Sequence, residues 1–73
     1  RRVKPLTYRE VRRKLLNAGF HEAGQSGSHV KFAKAVPSGL ITAVVPKHRE
    51  VAGGTLRSIV RQAHLTESEF EKL

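Results

Sequence analysis

The chain has 73 residues, a length that buries only about 60% of the unfolded surface and excludes a large core with a deep substrate cavity. It has no Cys, which excludes a disulfide framework and thiolate metal sites. No apolar run approaches the roughly 18 residues of a spanning helix, and the polar start around Val3 makes no signal peptide. One soluble domain over 1–73 is therefore expected, stabilised by packing alone and working in the cytoplasm. Fourteen Lys and Arg against six Asp and Glu leave a net charge of +8 with His neutral, so an anionic partner is expected, and of the anionic partners a membrane fits least.

In TYREVRRKLLNAGF, Thr7 and Glu10 have the spacing of a capping box, which predicts a helix from there to Gly19, the left-handed stop. Tyr8, Val11, Leu15 and Ala18 recur at helical spacing with Leu16 widening the stripe, and Arg9, Arg12, Arg13 and Lys14 point elsewhere. The expectation is an amphipathic helix with a basic outer face. FHEAGQ is a short strand candidate, and Ser26 with Gly27 is the reversal after it. In SHVKFAKA, the period of two puts Val30 and Phe32 on one face and His29, Lys31 and Ala33 on the other.

VPSG at 36–39 is a second turn, and LITAVVP is a third strand that Pro46 ends by withholding a donor. That strand is apolar on both faces and lies at the sheet edge, so it is expected to be covered by the C-terminal residues, by a second copy of the chain or by a separate protein partner meeting it at Ile41 and Val44. KHREVAGG reads as a loop. Thr55 then caps a second helix, LRSIVRQA, with Leu56, Ile59, Val60 and Ala63 inward and Arg57 and Arg61 outward. TESE is a capping box for a last short turn whose Phe70 and Leu73 fold back on the core. The order α-β-β-β-α with a small C-terminal helix predicts a two-layer α+β sandwich, a three-stranded antiparallel sheet with both helices on one face and the face carrying His29 left open.

GF at 19–20, GSHVKF at 27–32, VVPKH at 44–48 and GGTLRSIVRQAHLTESEF at 53–70 together resemble the HicA toxins over nearly the whole chain. The resemblance implies a small mRNA interferase of a type II toxin–antitoxin system. It also implies a fold similar to the double-stranded RNA-binding domain, a catalytic histidine in a Gly-Ser-His motif that maps onto His29, and a cognate HicB antitoxin as partner. His64 departs from it, standing where the family usually has the glycine that stops the second helix. GGTLRS lacks the lysine-rich helix start of true duplex binders, so recognition by duplex shape is not expected.

The residues carry their own chemistry. A near-neutral imidazole at His29 can take the proton from a ribose 2′-OH as that oxygen attacks the adjacent phosphate, and Lys31, about 6 to 7 Å along the same face, can offset the charge gathering there. The plain alternative is a solvated strand histidine. Ser28 stands either as an RNA backbone ligand or as an ordinary turn former, and His48 either as a second acid or as a phosphate contact. Arg9, Arg12, Arg13 and Lys14 form either a solvated face or an RNA-binding one. Phe20, Phe32 and Phe70 fall in core patterns and leave no stacking platform, so weak base selectivity is expected. The four histidines lack zinc-site spacing, so no metal or cofactor is expected. The expected function is a metal-independent endoribonuclease with His29 as general base, and its rival is a non-catalytic RNA-binding module of the same fold.

Overall fold

The computed structural model describes residues 4–73; the start around Val3 lies outside the described residues. The elements run β1 (Leu6–Thr7), α1 (Tyr8–Asn17), β2 (His21–Ser26), β3 (His29–Val36), β4 (Gly39–Pro46), β5 (Glu50–Val51), α2 (Gly53–Gln62) and α3 (Glu67–Glu71). β2, β3 and β4 form an antiparallel sheet in that order. The α+β class and the α-β-β-β-α order are those expected, with α3 as the short C-terminal helix. The additions are β1 and β5, which pair antiparallel through Leu6 with Val51 and Thr7 with Glu50. Two residues carry no readable period, which is why the sequence shows only a loop there.

One apolar cluster joins the layers. Val11 and Leu15 from α1 and Leu56, Ile59 and Val60 from α2 pack on Val30 and Phe32 of β3 and Ala43 and Val45 of β4, with Phe20 and Phe70 closing the ends. The alternation is complete at the centre of the sheet: Val30 and Phe32 are buried, while His29 and Lys31 are exposed. Ala33 lies on the outer side with them yet is buried, a short side chain between His21 and Thr42 on the flanking strands. Leu16, expected to widen the helix stripe, is instead 38% exposed.

Several local expectations change. The Thr7 hydroxyl accepts the Glu10 amide at 3.2 Å, but the return half of the capping box is missing because the Glu10 carboxylate takes the Arg13 guanidinium at 3.1 and 3.2 Å. The N-cap of α2 is Ala52 without a side-chain bond, and Thr55 sits inside the first turn. The capping box at Thr66 and Glu69 forms in full. The first hairpin loop is Gly27 and Ser28, because Ser26 already pairs with His29.

Lys14 is the largest correction. Rather than joining the basic outer face it is buried, donating from Nζ to the carbonyls of Phe70, Glu71 and Leu73 at 3.1, 3.2 and 3.4 Å. The same ammonium lies 5.3 Å from the Phe70 ring centroid. Burying a charge is unfavourable unless it is well hydrogen-bonded, and these three carbonyls supply that compensation at the end of α3.

α1 and α2 end on the same backbone pattern. After α1, Gly19 has φ 96°, its N–H donates to Leu16 O, and the Phe20 N–H donates to Leu15 O. After α2, His64 has φ 58°, its N–H donates to Arg61 O, and the Leu65 N–H donates to Val60 O. Both are Schellman closures, which require a left-handed residue and favour glycine. His64 thus occupies the glycine position of the motif, a less ideal cap.

β4 is the sheet edge, as its place in the meander implies. Its outward row is not wholly free, because the Val44 N–H donates to Gln62 Oε1 at 3.0 Å. β4 and its ladder with β3 end at Pro46 as expected, but Pro46 shares the parity of Val44, so its missing donor faces away from β3, and the Lys47 N–H still donates to the Ser28 carbonyl. Ile41, expected at a partner surface, packs partly buried against the core, while Leu40 and Val44 are 69% and 40% exposed.

Candidate functional site

The site begins with a glycine. Gly27 has φ 58° and Ser28 is outside the left-handed region, the glycine-first pattern of a type II′ hairpin. A two-residue loop fixes register, and register fixes faces: once Val30 turns into the core, His29 must turn out. His29 lies between Ser26 on β2 and Pro46 on β4, and Lys31 between Gly24 and Val44. Gly24 presents no side chain, so the space beside Lys31 is open on that strand. Among the described residues the His29 imidazole has no hydrogen-bond or ion-pair partner and is exposed, ready to exchange a proton with a ligand.

The Ser28 carbonyl holds the Lys47 amide, and so anchors the 47–49 loop beside the hairpin. His48 follows two residues after Pro46, the cross-strand neighbour of His29. Here Lys47, His48 and Arg49 face Thr7, Tyr8 and Arg9 across a groove of about 400 Å³. The β1–β5 ladder fixes the two walls, and Lys47 Nζ lies 5.8 Å from the Tyr8 ring centroid. Partial burial raises the Tyr8 phenol above its ordinary pKa, the Glu22 carboxylate adds to that rise, and the Arg12 guanidinium opposes it.

Arg12 and Arg13 go elsewhere. Arg12 Nε meets Glu22 Oε2 at 2.8 Å, and Glu22 lies across from the buried Phe32, so Arg12 belongs to the helix side of the sheet. Arg13 is held by Glu10, whose carboxyl is kept below its ordinary pKa by that hydrogen bond first and by the guanidinium charge second. Ser28, His29 and Lys31 therefore gather at the open face, His48 and Arg9 gather in the adjoining groove, and Arg12 and Arg13 join neither. Lys47 and Arg49 line the groove without having been expected at a site, and Tyr8, expected in the inward stripe of α1, packs partly buried against the core and also borders the groove. The cationic run KHR directly after a strand-ending proline was the available signal for the first two.

Among the described residues no three His, Asp or Glu gather as metal ligands, and no helix is long and apolar enough to cross a membrane. The arrangement offers an exposed titratable nitrogen, a cation on the same face and a cationic groove at its end. These are the parts needed to bind a polyanion and to move a proton at one point along it.

No match was found among curated proteins. A family model described as the HicA toxin of bacterial toxin–antitoxin matches residues 8–65, which takes in α1, the whole sheet, the groove loop and α2.

Proposed function

The chain belongs to the HicA toxin family of bacterial toxin–antitoxin systems, and from that premise we propose that it is a metal-independent endoribonuclease, an mRNA interferase with His29 as general base. Supporting this most directly is the placement of His29, the first residue of β3, exposed on the uncovered sheet face with Lys31 beside it. RNA carries its own nucleophile. The imidazole takes the proton of a ribose 2′-OH, the oxygen attacks the adjacent phosphorus, and the P–O bond to the 5′-oxygen of the next nucleotide breaks as that oxygen takes a proton from water, giving a 2′,3′-cyclic phosphate and a 5′-OH; the imidazolium returns its proton to solvent. Lys31 offsets the charge that builds on the phosphate oxygens. Ser28 and His48 lie together at the end of the sheet beyond His29, where the RNA backbone would leave the open face, and the cytoplasm, where mRNA is found, is the proposed compartment.

A toxin of this family is paired with an antitoxin. The proposed partner is a HicB-type protein that covers the open face, with Leu40 and Val44 supplying apolar contact and Lys31 an electrostatic one. Val44→Asp is the surface probe for the apolar part.

The rival reading, an RNA-binding module without catalysis, draws on one observation: among the described residues no carboxylate or carbonyl orients the His29 ring. Incubation of labelled RNA with the purified protein decides between them. Cleavage should persist in EDTA, fail on RNA with 2′-deoxy sugars and fall about 100- to 10,000-fold in His29→Ala. Undiminished cleavage by that variant removes His29 from the chemistry, and RNA binding without products from the wild type favours the module.

A further inference from the structure

The groove between the start of α1 and the 47–49 loop takes no part in the proton transfer at His29, and its arginines differ from the other described arginines, of which only Arg61 also lacks a carboxylate partner. Arg12, Arg13 and Arg57 each face a glutamate: Glu22, Glu10 and Glu67. Arg9 and Arg49 have no carboxylate partner among the described residues. Lys47, His48 and Arg49 line the same open groove as Arg9, and the fold holds them together through the β1–β5 ladder and the bond from Lys47 to Ser28. Like charges fixed this way repel, and an anion placed between them relieves the repulsion. Beside them lies Tyr8, a half-buried aromatic ring. The Lys47 ammonium lies 5.8 Å from its centroid, and a cationic groove that includes an aromatic ring suits a nucleotide, with the phosphate on the cations and the base or ribose against the ring.

We propose that this groove is a second nucleotide subsite, in which Arg9 and Arg49 hold a phosphodiester of single-stranded RNA and Tyr8 contacts the adjoining base or ribose. The proposal rests on the RNA-cleaving reading of His29 for the identity of its ligand. The path between the two points is short in topology. His29 lies opposite Pro46, and the groove loop starts at the next residue, so a strand crossing the open face past His29 runs off the sheet onto Lys47, His48 and Arg49.

The chain has one Tyr and no Trp, so intrinsic fluorescence reports on this groove. Wild-type protein is titrated with a short 2′-O-methyl RNA, which lacks the nucleophile and stays intact, while Tyr8 emission and the anisotropy of the labelled strand are followed together. Binding should change the emission. Arg9→Gln/Arg49→Gln should weaken binding about tenfold or more, and Arg57→Gln/Arg61→Gln, with the same loss of charge, only a few-fold. Binding that leaves Tyr8 unchanged, or equal weakening in the two double variants, overturns the subsite and leaves the His29 chemistry intact. A larger emission change with oligoglutamate than with RNA assigns the groove to an acidic polypeptide and also overturns it. If the RNA perturbs Tyr8 as expected while unmodified RNA is never cleaved, the subsite stands and the catalytic reading fails.

Discussion

Two faces of one strand divide the work of this molecule. On the helix side of β3, Val30 and Phe32 are sealed under α1 and α2; on the other side, one residue away in each direction, His29 and Lys31 are exposed to solvent. The side chains between which the chain alternates have opposite requirements. The inner pair must be apolar and close-packed, and the outer pair must be reachable and polar. A protein of this size cannot set its chemistry in a deep cavity, and the proposed reactive group, His29, stands on the back of its core. The difference predicts that stability and activity separate at adjacent positions.

The largest test of that separation pairs Phe32→Ala with His29→Ala. Loss of a fully buried phenylalanine should lower stability by about 3–5 kcal/mol, a large share of the roughly 5–15 kcal/mol of a small domain. His29→Ala should leave the denaturant midpoint nearly unchanged while removing cleavage. Equal midpoints for Phe32→Ala and wild type, or a lowered midpoint for His29→Ala, would break the division. Lys31→Met sharpens it from the outer side: stability should hold, while the slope of log affinity for single-stranded RNA against log salt should flatten by about 0.7. An unaltered slope means that Lys31 meets no phosphate.

A smaller effect is expected at the end of α2, within the helix layer. A non-glycine residue in the left-handed region is disfavoured by about 1–2 kcal/mol, so His64→Gly should raise stability by about 1 kcal/mol and Tm by about 4–8 °C. Cleavage should not change, since His64 ends a helix that packs on the side of the sheet away from His29; a lost activity would give the imidazole a role beyond the cap. The smallest effect is at Tyr8. Its raised pKa means that the folded state holds the phenolic proton more tightly than the unfolded chain, so this stabilisation is present below 10.0 and is lost as pH rises through the folded value. Ultraviolet titration of the sole tyrosine should give a midpoint above 10.0, and Glu22→Gln should move it downward.

What could be read in the sequence followed periodicity. The period of two in HVKF placed His29 and Lys31 outward, and the helical spacing of Leu56, Ile59, Val60 and Ala63 named the inner face of α2. His64 was legible as a misfit at a glycine position. The features that escaped depend on residues brought together from afar. Nothing near Lys14 announces that its partners are carbonyls of residues 70, 71 and 73. The groove needs β1 to meet β5 across more than forty positions, and neither is long enough to show a pattern. Glu10 could choose between the cap and Arg13, and local spacing does not say which interaction wins.

The three strands of the sheet are joined by two-residue loops, so the face carrying His29 can assemble from contacts between near neighbours. The Lys14 ammonium instead waits for carbonyls 56, 57 and 59 positions further along. That contrast predicts an order of events during folding: the meander closes early, and the first helix is locked only when the last turn docks. A contact made after the barrier affects the rate of leaving the native state more than the rate of reaching it. In stopped-flow experiments Lys14→Met should therefore speed unfolding and leave refolding nearly as fast; slowed refolding would place the closure ahead of the barrier. The lock on the first helix would then set how long the molecule stays folded, while the hairpins set how quickly it gets there.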